Sequence, residues 1–204
     1  MIDVDHEATT GMPDVPTALP TSDNFVTRGI GRFALRALGG WTFRGRLPDL
    51  ARFVIIVAPH TSSWDFVIGV AAKLALGLRI GYLGKHTLFR PPLGWLMRAL
   101  GGIPVHRRTS RETVQQVIDR FSTERQIVLA LSPEGTRRKV ERWRSGFWHI
   151  AHGADVPIVP VGLDFPTRTI RIGEPVPPGD DVERAVARLK RWYRGIEGRY
   201  PEPV

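Results

Sequence analysis

The sequence predicts an α/β fold: a single domain with a mixed, mostly parallel central sheet flanked by helices. Three observations carry this. Apolar runs of strand length at residues 53–58, 127–131 and 156–161 lack polar alternation, as strands covered on both faces do. Segments with helical spacing separate these runs, which is the order of an α/β chain. The length of 204 residues suits one sizeable core and is too short for two comfortable ones.

Each element has its own justification. Residues 1–23 carry five acids (Asp3, Asp5, Glu7, Asp14 and Asp23), several prolines and no Lys or Arg, the composition of a disordered acidic tail. Residues 24–44 are assigned to an amphipathic helix. Arg28, Arg32 and Arg36 repeat every four residues on one side, while Val26, Ile30, Phe33, Ala37 and Trp41 gather on another. Two readings fit this pattern: a helix lying in a membrane interface, or one packed on the core with its arginines in water. Gly29 and Gly31 weaken the helix under either reading. With Ala34 they spell Gly-x-Gly-x-x-Ala, but no strand precedes them, so a dinucleotide site is dismissed.

The remaining domain, residues 45–204, opens on the run at 53–58. A buried helix over 66–78 and a short strand over 79–84 follow. Pro91 and Pro92 introduce a short apolar helix at 93–100, which Gly101 and Gly102 end. Residues 103–108 form an edge-like strand containing Pro104. Ser110 caps a helix marked by Val114, Val117, Ile118 and Phe121. The strand at 127–131 leads into Ser132-Pro133-Glu134-Gly135-Thr136-Arg137. Prolines in 156–161 favour a bulged or edge position. Val182, Ala185, Val186, Leu189, Tyr193 and Ile196 stripe a final basic helix.

Composition excludes some chemistry. There is no cysteine, hence no disulfide, thiolate metal site or cysteine nucleophile. No window approaches 18 uninterrupted apolar residues, and the acidic start lacks a signal peptide's basic and apolar regions. A cytoplasmic location is expected. Residues 24–204 hold all 29 bases but only 15 of the 20 acids, a net charge of +14. Such a body favours an anionic partner: nucleic acid, a phospholipid surface or a phosphorylated substrate.

The chemistry-bearing pair is His60 and Asp65, directly after the first apolar run. Strand ends in α/β folds are rigid and exposed, so they commonly hold functional groups. Five positions along one helix turn through roughly 140°, so the two side chains would diverge on a continuous helix. They meet only if His60 lies in the loop and Asp65 in the first turn of the next helix, an arrangement the hydroxyls of Thr61, Ser62 and Ser63 suit. A histidine held by a carboxylate is a general base for activating a hydroxyl. Taken alone, the pair fits better a strand end followed by a helix-capping acid.

Four stretches in series resemble the lysophosphatidic acid acyltransferase (1-acylglycerol-3-phosphate acyltransferase) family. His60-x4-Asp65 is similar to its catalytic His-x4-Asp motif. Residues 101–107 (Gly-Gly-Ile-Pro-Val-His-Arg), 133–137 (Pro-Glu-Gly-Thr-Arg) and 156–161 (Val-Pro-Ile-Val-Pro-Val) are similar to its three later blocks. The resemblance spans about residues 50 to 165 and implies a glycerolipid acyltransferase-like fold. It implies His60 as base and Asp65 as its orienting acid. The acceptor would be bound by Arg107, Glu134, Gly135, Thr136 and Arg137, with both arginines gripping a phosphate. Since Glu134 would oppose an anion, it is expected to hold an arginine or the acceptor's polar groups.

The implied reaction moves a fatty acyl chain from acyl-CoA or acyl carrier protein to a lysophospholipid-like hydroxyl, with lysophosphatidic acid the expected acceptor. No metal or bound cofactor is expected. A peripheral site on the cytoplasmic face of the cell membrane is expected too, through the Arg28/Arg32/Arg36 helix or residues 93–100.

The chain departs from the family pattern at Pro59, where many members have Asn, at Pro104, where an aromatic is usual, and at Arg138, where Ser is frequent. These departures bear on the acceptor, leaving a different lipid or glycolipid as the alternative substrate. A non-catalytic anionic-lipid or nucleic-acid binding protein is the alternative of another class. No aromatic–basic sheet face supports nucleic acid, and Ser132 and Ser145 lack the Gly-x-Ser-x-Gly elbow of a serine hydrolase.

Overall fold

A computed structural model describes residues 11–22, 24–105, 110–135 and 142–200. Its centre is a seven-stranded sheet. The strands are β1 (Thr42–Arg44), β2 (Arg52–Ala58), β3 (Gly81–Lys85), β4 (Gly102–Val105), β5 (Ile127–Leu131), β6 (Ile158–Asp164) and β7 (Thr169–Ile172). Their spatial order is β1-β7-β6-β2-β5-β3-β4. Among these described strands only the β6–β7 pair is antiparallel. The fold is the expected α/β class with a mixed, mostly parallel sheet.

The central strands alternate their side chains between two cores, as the pleat requires. Val54 and Ile56 of β2 face one core, with α4 (Ser110–Thr123), α5 (Gly146–Gly153) and α6 (Val182–Trp192) covering it. Phe53 and Ile55 face the other, closed by α1 (Phe25–Ala37) and α2 (Ser63–Leu76). Burial on both faces explains why β2 and β5 read as unbroken apolar runs. A short helix, α3 (Gly94–Ala99), lies by the β3–β4 edge.

β6 is interior, between β2 and β7, so the edge expectation for its prolines fails. Nor does β6 bulge against β2, since their register is unbroken from Val54↔Ile158 to Ala58↔Gly162. Pro160 falls between the isolated bridge Ile158↔Val176 and the ladder that begins at Val161↔Ile172. In that gap the missing proline N–H leaves no ladder bond unmade.

The N-terminal expectation needs correction. Within residues 1–23, residues 11–22 run along the domain. Leu19 is buried in the α1–α2 core, Ser22 N–H bonds Gly77 C=O at 2.8 Å, and Arg79 N–H bonds Pro20 C=O at 2.8 Å. Residues 1–10 and 23 lie outside the described residues. The single helix expected over 24–44 also divides. α1 ends at Ala37, Gly39 and Gly40 turn with φ of 118° and 75°, and residues 42–44 become β1. Trp41 is then a core residue rather than the end of a helical stripe.

α1 packs on α2 through a face other than its apolar stripe. Gly31 and Leu35 are its buried residues. A Cβ at Gly31 would collide with the backbone of Ala71, Leu74 and Ala75, so this glycine allows the two helices to touch. The stripe points outward, with Val26 51%, Ile30 56% and Phe33 71% exposed.

Candidate active site

The β2–α2 junction builds the site. β2 ends at Ala58, a cis Ala58–Pro59 bond follows, and His60 lies in the loop before α2. Ser62 is the N-cap of α2 and Asp65 is its N3 residue, forming a reciprocal capping box. Ser62 Oγ accepts from Trp64 N–H at 2.9 Å, and Asp65 Oδ2 accepts from Ser62 N–H at 2.9 Å. The same Oδ2 lies 3.0 Å from His60 Nδ1. This is the loop-and-first-turn geometry that the spacing required.

Burial divides the pair usefully. The Asp65 side chain is 1% exposed and that of His60 22%. A buried carboxylate on Nδ1 keeps the proton there and leaves Nε2 as the basic nitrogen. Asp65 Oδ1 is buried and has no hydrogen-bond partner among the described residues. The helix N-terminus adds favourable partial charge for the carboxylate.

Glu134 has a contact that its sequence reading did not include. It is buried, and its Oε2 accepts the backbone N–H of His60 at 2.9 Å. β5 neighbours β2 directly, so the residues after β5 meet those after β2. Charge-assisted bonds of this kind contribute about 1.5–3 kcal/mol, enough to fix the loop's height over the sheet. This loop-anchoring contact stands beside the expectation that Glu134 holds an arginine or the acceptor's polar groups and does not replace it. Gly135 adopts φ of 64°, and the Arg144 side chain packs where a Cβ would project. Arg107, Thr136 and Arg137 lie outside the described residues.

Two supports were missed by sequence reasoning. Tyr193 Oη donates to Ile56 C=O at 2.6 Å and accepts from Val161 N–H at 3.1 Å, joining β2 to β6 just below the loop. Burial pushes its phenol well above the ordinary value, keeping it a donor. Its apolar stripe position signalled burial but not this bond. Residues 197–200 return over the loop as well. Glu197 C=O accepts from Phe165 N–H at 3.0 Å, Tyr200 N–H reaches Thr61 Oγ1 at 3.4 Å, and Arg199 stacks over Trp64 at 4.6 Å.

A model of the acyltransferase family matches residues 43–164, which contain β2 through β6 and the whole His60–Asp65 loop. The chain belongs to that family. The 1-acyl-sn-glycerol-3-phosphate acyltransferase of Salmonella typhimurium is 30% identical over 113 residues, 52% of this chain and 45% of that protein. The Escherichia coli K12 protein of the same name is 27% identical over 124 residues, 58% of this chain and 49% of that one. The chain thus spans about half the length of these curated relatives. The crystal structure of the 1-acyl-sn-glycerophosphate (LPA) acyltransferase PlsC from Thermotoga maritima shares the fold. Its TM-score is 0.60 at 20% identity, covering 87% of this chain and 80% of that one.

Proposed function

We propose that this acyltransferase-family chain transfers a fatty acyl group from a thioester carrier to the hydroxyl of a lysophospholipid-like acceptor. The observation that carries the reading is the 3.0 Å contact between His60 Nδ1 and buried Asp65, at the open end of a parallel sheet. His60 Nε2 takes the acceptor's hydroxyl proton as that oxygen attacks the thioester carbonyl. The tetrahedral intermediate collapses with cleavage of the C–S bond. The imidazolium, stabilised by Asp65, returns the proton to the departing thiolate. No covalent enzyme intermediate forms, and no metal or bound cofactor enters; coenzyme A or acyl carrier protein arrives with the donor. General-base help of this kind is worth roughly 10²–10⁴-fold.

The names of the matched relatives favour lysophosphatidic acid as acceptor, with Arg107 and Arg137 on its phosphate. A lipid acceptor calls for a membrane surface. Among the described residues no helix is long and apolar enough to cross one. The outward stripe of α1 is suited to lying on the surface, and Leu93 and Trp95 near the β3–β4 edge are 58% and 71% exposed. A peripheral position on the cytoplasmic face completes the proposal.

The test is purified protein given acyl-CoA, or acyl carrier protein loaded with a fatty acid, and a panel of lysolipids. Thiol release dependent on the lysolipid is expected, falling about 10²–10⁴-fold in folded His60→Ala. Release that persists unchanged in the variant would overturn the mechanism.

A further inference from the structure

A cavity of about 360 Å³ lies where the C-terminal end of α1 meets the first turns of α2, and the reaction scheme makes no use of it. Its apolar lining includes Trp41, Trp64, Ile68 and Phe165, with Trp41 and Phe165 packed edge to face at 4.9 Å. Two arginines, Arg168 and Arg199, also line it, and among the described residues no Asp or Glu does.

Both arginines are held in place. Arg168 sits in the tight turn between β6 and β7 with φ of 51°, and its Nη1 donates to Gly39 C=O at 2.8 Å. The Arg199 guanidinium stacks over the Trp64 ring. Among the described residues neither makes an ion pair. Two pre-placed guanidiniums without a carboxylate match a phosphate group, whose oxygens accept their forked donors.

The cavity is also continuous with an apolar face. Ala37 lines it, and Ala37 is the next member of the helical stripe Val26, Ile30 and Phe33 that α1 turns outward. Trp64 lines the cavity from α2, and Trp64 and Val67, about one helical turn apart, are 39% and 41% exposed. A phosphate carrying apolar chains satisfies both parts at once. The guanidiniums take the headgroup, and the chains follow the stripe into the bilayer. A free phosphate would leave the aromatic lining unused.

We infer that the Arg168–Arg199 cavity is a headgroup site for an anionic phospholipid of the bilayer, separate from the acceptor bound for reaction. The inference rests on the proposal that this protein works at a membrane surface. It commits the α1 stripe to an orientation: α1 lies along the interface with its C-terminal end against lipid phosphates.

The experiment is vesicle co-sedimentation of the full chain at fixed ionic strength, which matters because salt screens surface charge. Neutral phosphatidylcholine vesicles are compared with vesicles in which about one-third of the lipid is phosphatidylglycerol. Wild type is expected to partition more strongly onto the anionic vesicles. Arg168→Gln/Arg199→Gln is expected to lower that partitioning roughly 10- to 30-fold, since each interfacial arginine is worth about 5-fold. Its binding to neutral vesicles should not change. The exposed single variant Arg199→Gln should show about 5-fold of this effect even if the Arg168 turn tolerates no change.

Arg184→Gln/Arg188→Gln on the exposed face of α6 removes equal charge elsewhere. An equal loss in this control would show general attraction and overturn the site. Competition by excess inorganic phosphate down to the double variant's level would assign the cavity to free phosphate and overturn the lipid. Wild type that binds neutral vesicles with no anionic preference would sink the site alone. Wild type that binds neither vesicle would sink the membrane proposal with it.

Discussion

The two ends of α2 bury opposite charges and treat them differently. At the N-terminal end Asp65 is buried beneath the loop, bonded to Ser62 N–H and His60 Nδ1 through one oxygen. Eight residues on, about 12 Å along the axis, Lys73 reaches into the far side of the domain. Its Nζ donates to Ile80 C=O at 2.8 Å and Leu100 C=O at 2.9 Å, and among the described residues it makes no ion pair. Each charge has the sign that the helix dipole favours at its end. The first carboxylate holds a partly exposed imidazole with one nitrogen left over, which is a reactive arrangement. The lysine ties two loop carbonyls together and holds nothing reactive. Burial of a titratable group therefore marks chemistry only where its partner still faces solvent.

The lysine end yields the largest stability effect. Burial lowers the Lys73 pKa from 10.5 to about 8. Below pH 8 the amine is charged in both folded and unfolded chains, so it adds no pH dependence. Between about 8 and 10.5 the unfolded chain keeps a proton that the folded chain has released. Stability should therefore rise with pH across this window, by roughly 3 kcal/mol at most, and level off above it. Denaturant melts of wild type and Lys73→Met across that range would show the rise in wild type only. Parallel curves would place Lys73 in water.

The middle of the helix pair sharpens the contrast between contact and exposure. Gly31→Val drives a side chain into the α2 backbone and should cost about 1–3 kcal/mol of stability. Phe33→Ser, on the outward stripe, should change stability by less than about 0.5 kcal/mol yet weaken vesicle binding. Thermal melts beside co-sedimentation separate the two. A large stability loss in Phe33→Ser would mean that the stripe packs on protein.

The sequence showed the parts whose signal is local. Residues 127–131 are β5 to the residue, and the run at 53–58 falls within β2. His60 in a loop and Asp65 in a first helical turn followed from hydroxyl caps and the 3.6-residue period. Contacts made by backbone alone were not legible. Residues 11–22 look like a tail by composition but are bound through peptide groups such as Thr21↔Leu78, for which composition carries no mark. β1 and β7, of three and four residues, are too short to show a period. α1 misleads in the other direction. Its strongest apolar stripe faces out because Gly31, with no side chain to score as apolar, marks the packing face. The contact of Glu134 with the His60 amide depends on strand order, which local sequence does not show.

The central claim is that Asp65 acts through His60, and one comparison tests it most directly. Thiol release from acyl-CoA in the presence of lysophosphatidic acid is measured for wild type, His60→Ala and Asp65→Asn, each confirmed folded by its melting transition. Asparagine can still accept from Ser62 N–H but cannot stabilise the imidazolium. Asp65→Asn should therefore retain α2 and lose roughly 10²-fold or more in rate, approaching His60→Ala. A folded Asp65→Asn that releases thiol at the wild-type rate would contradict the account.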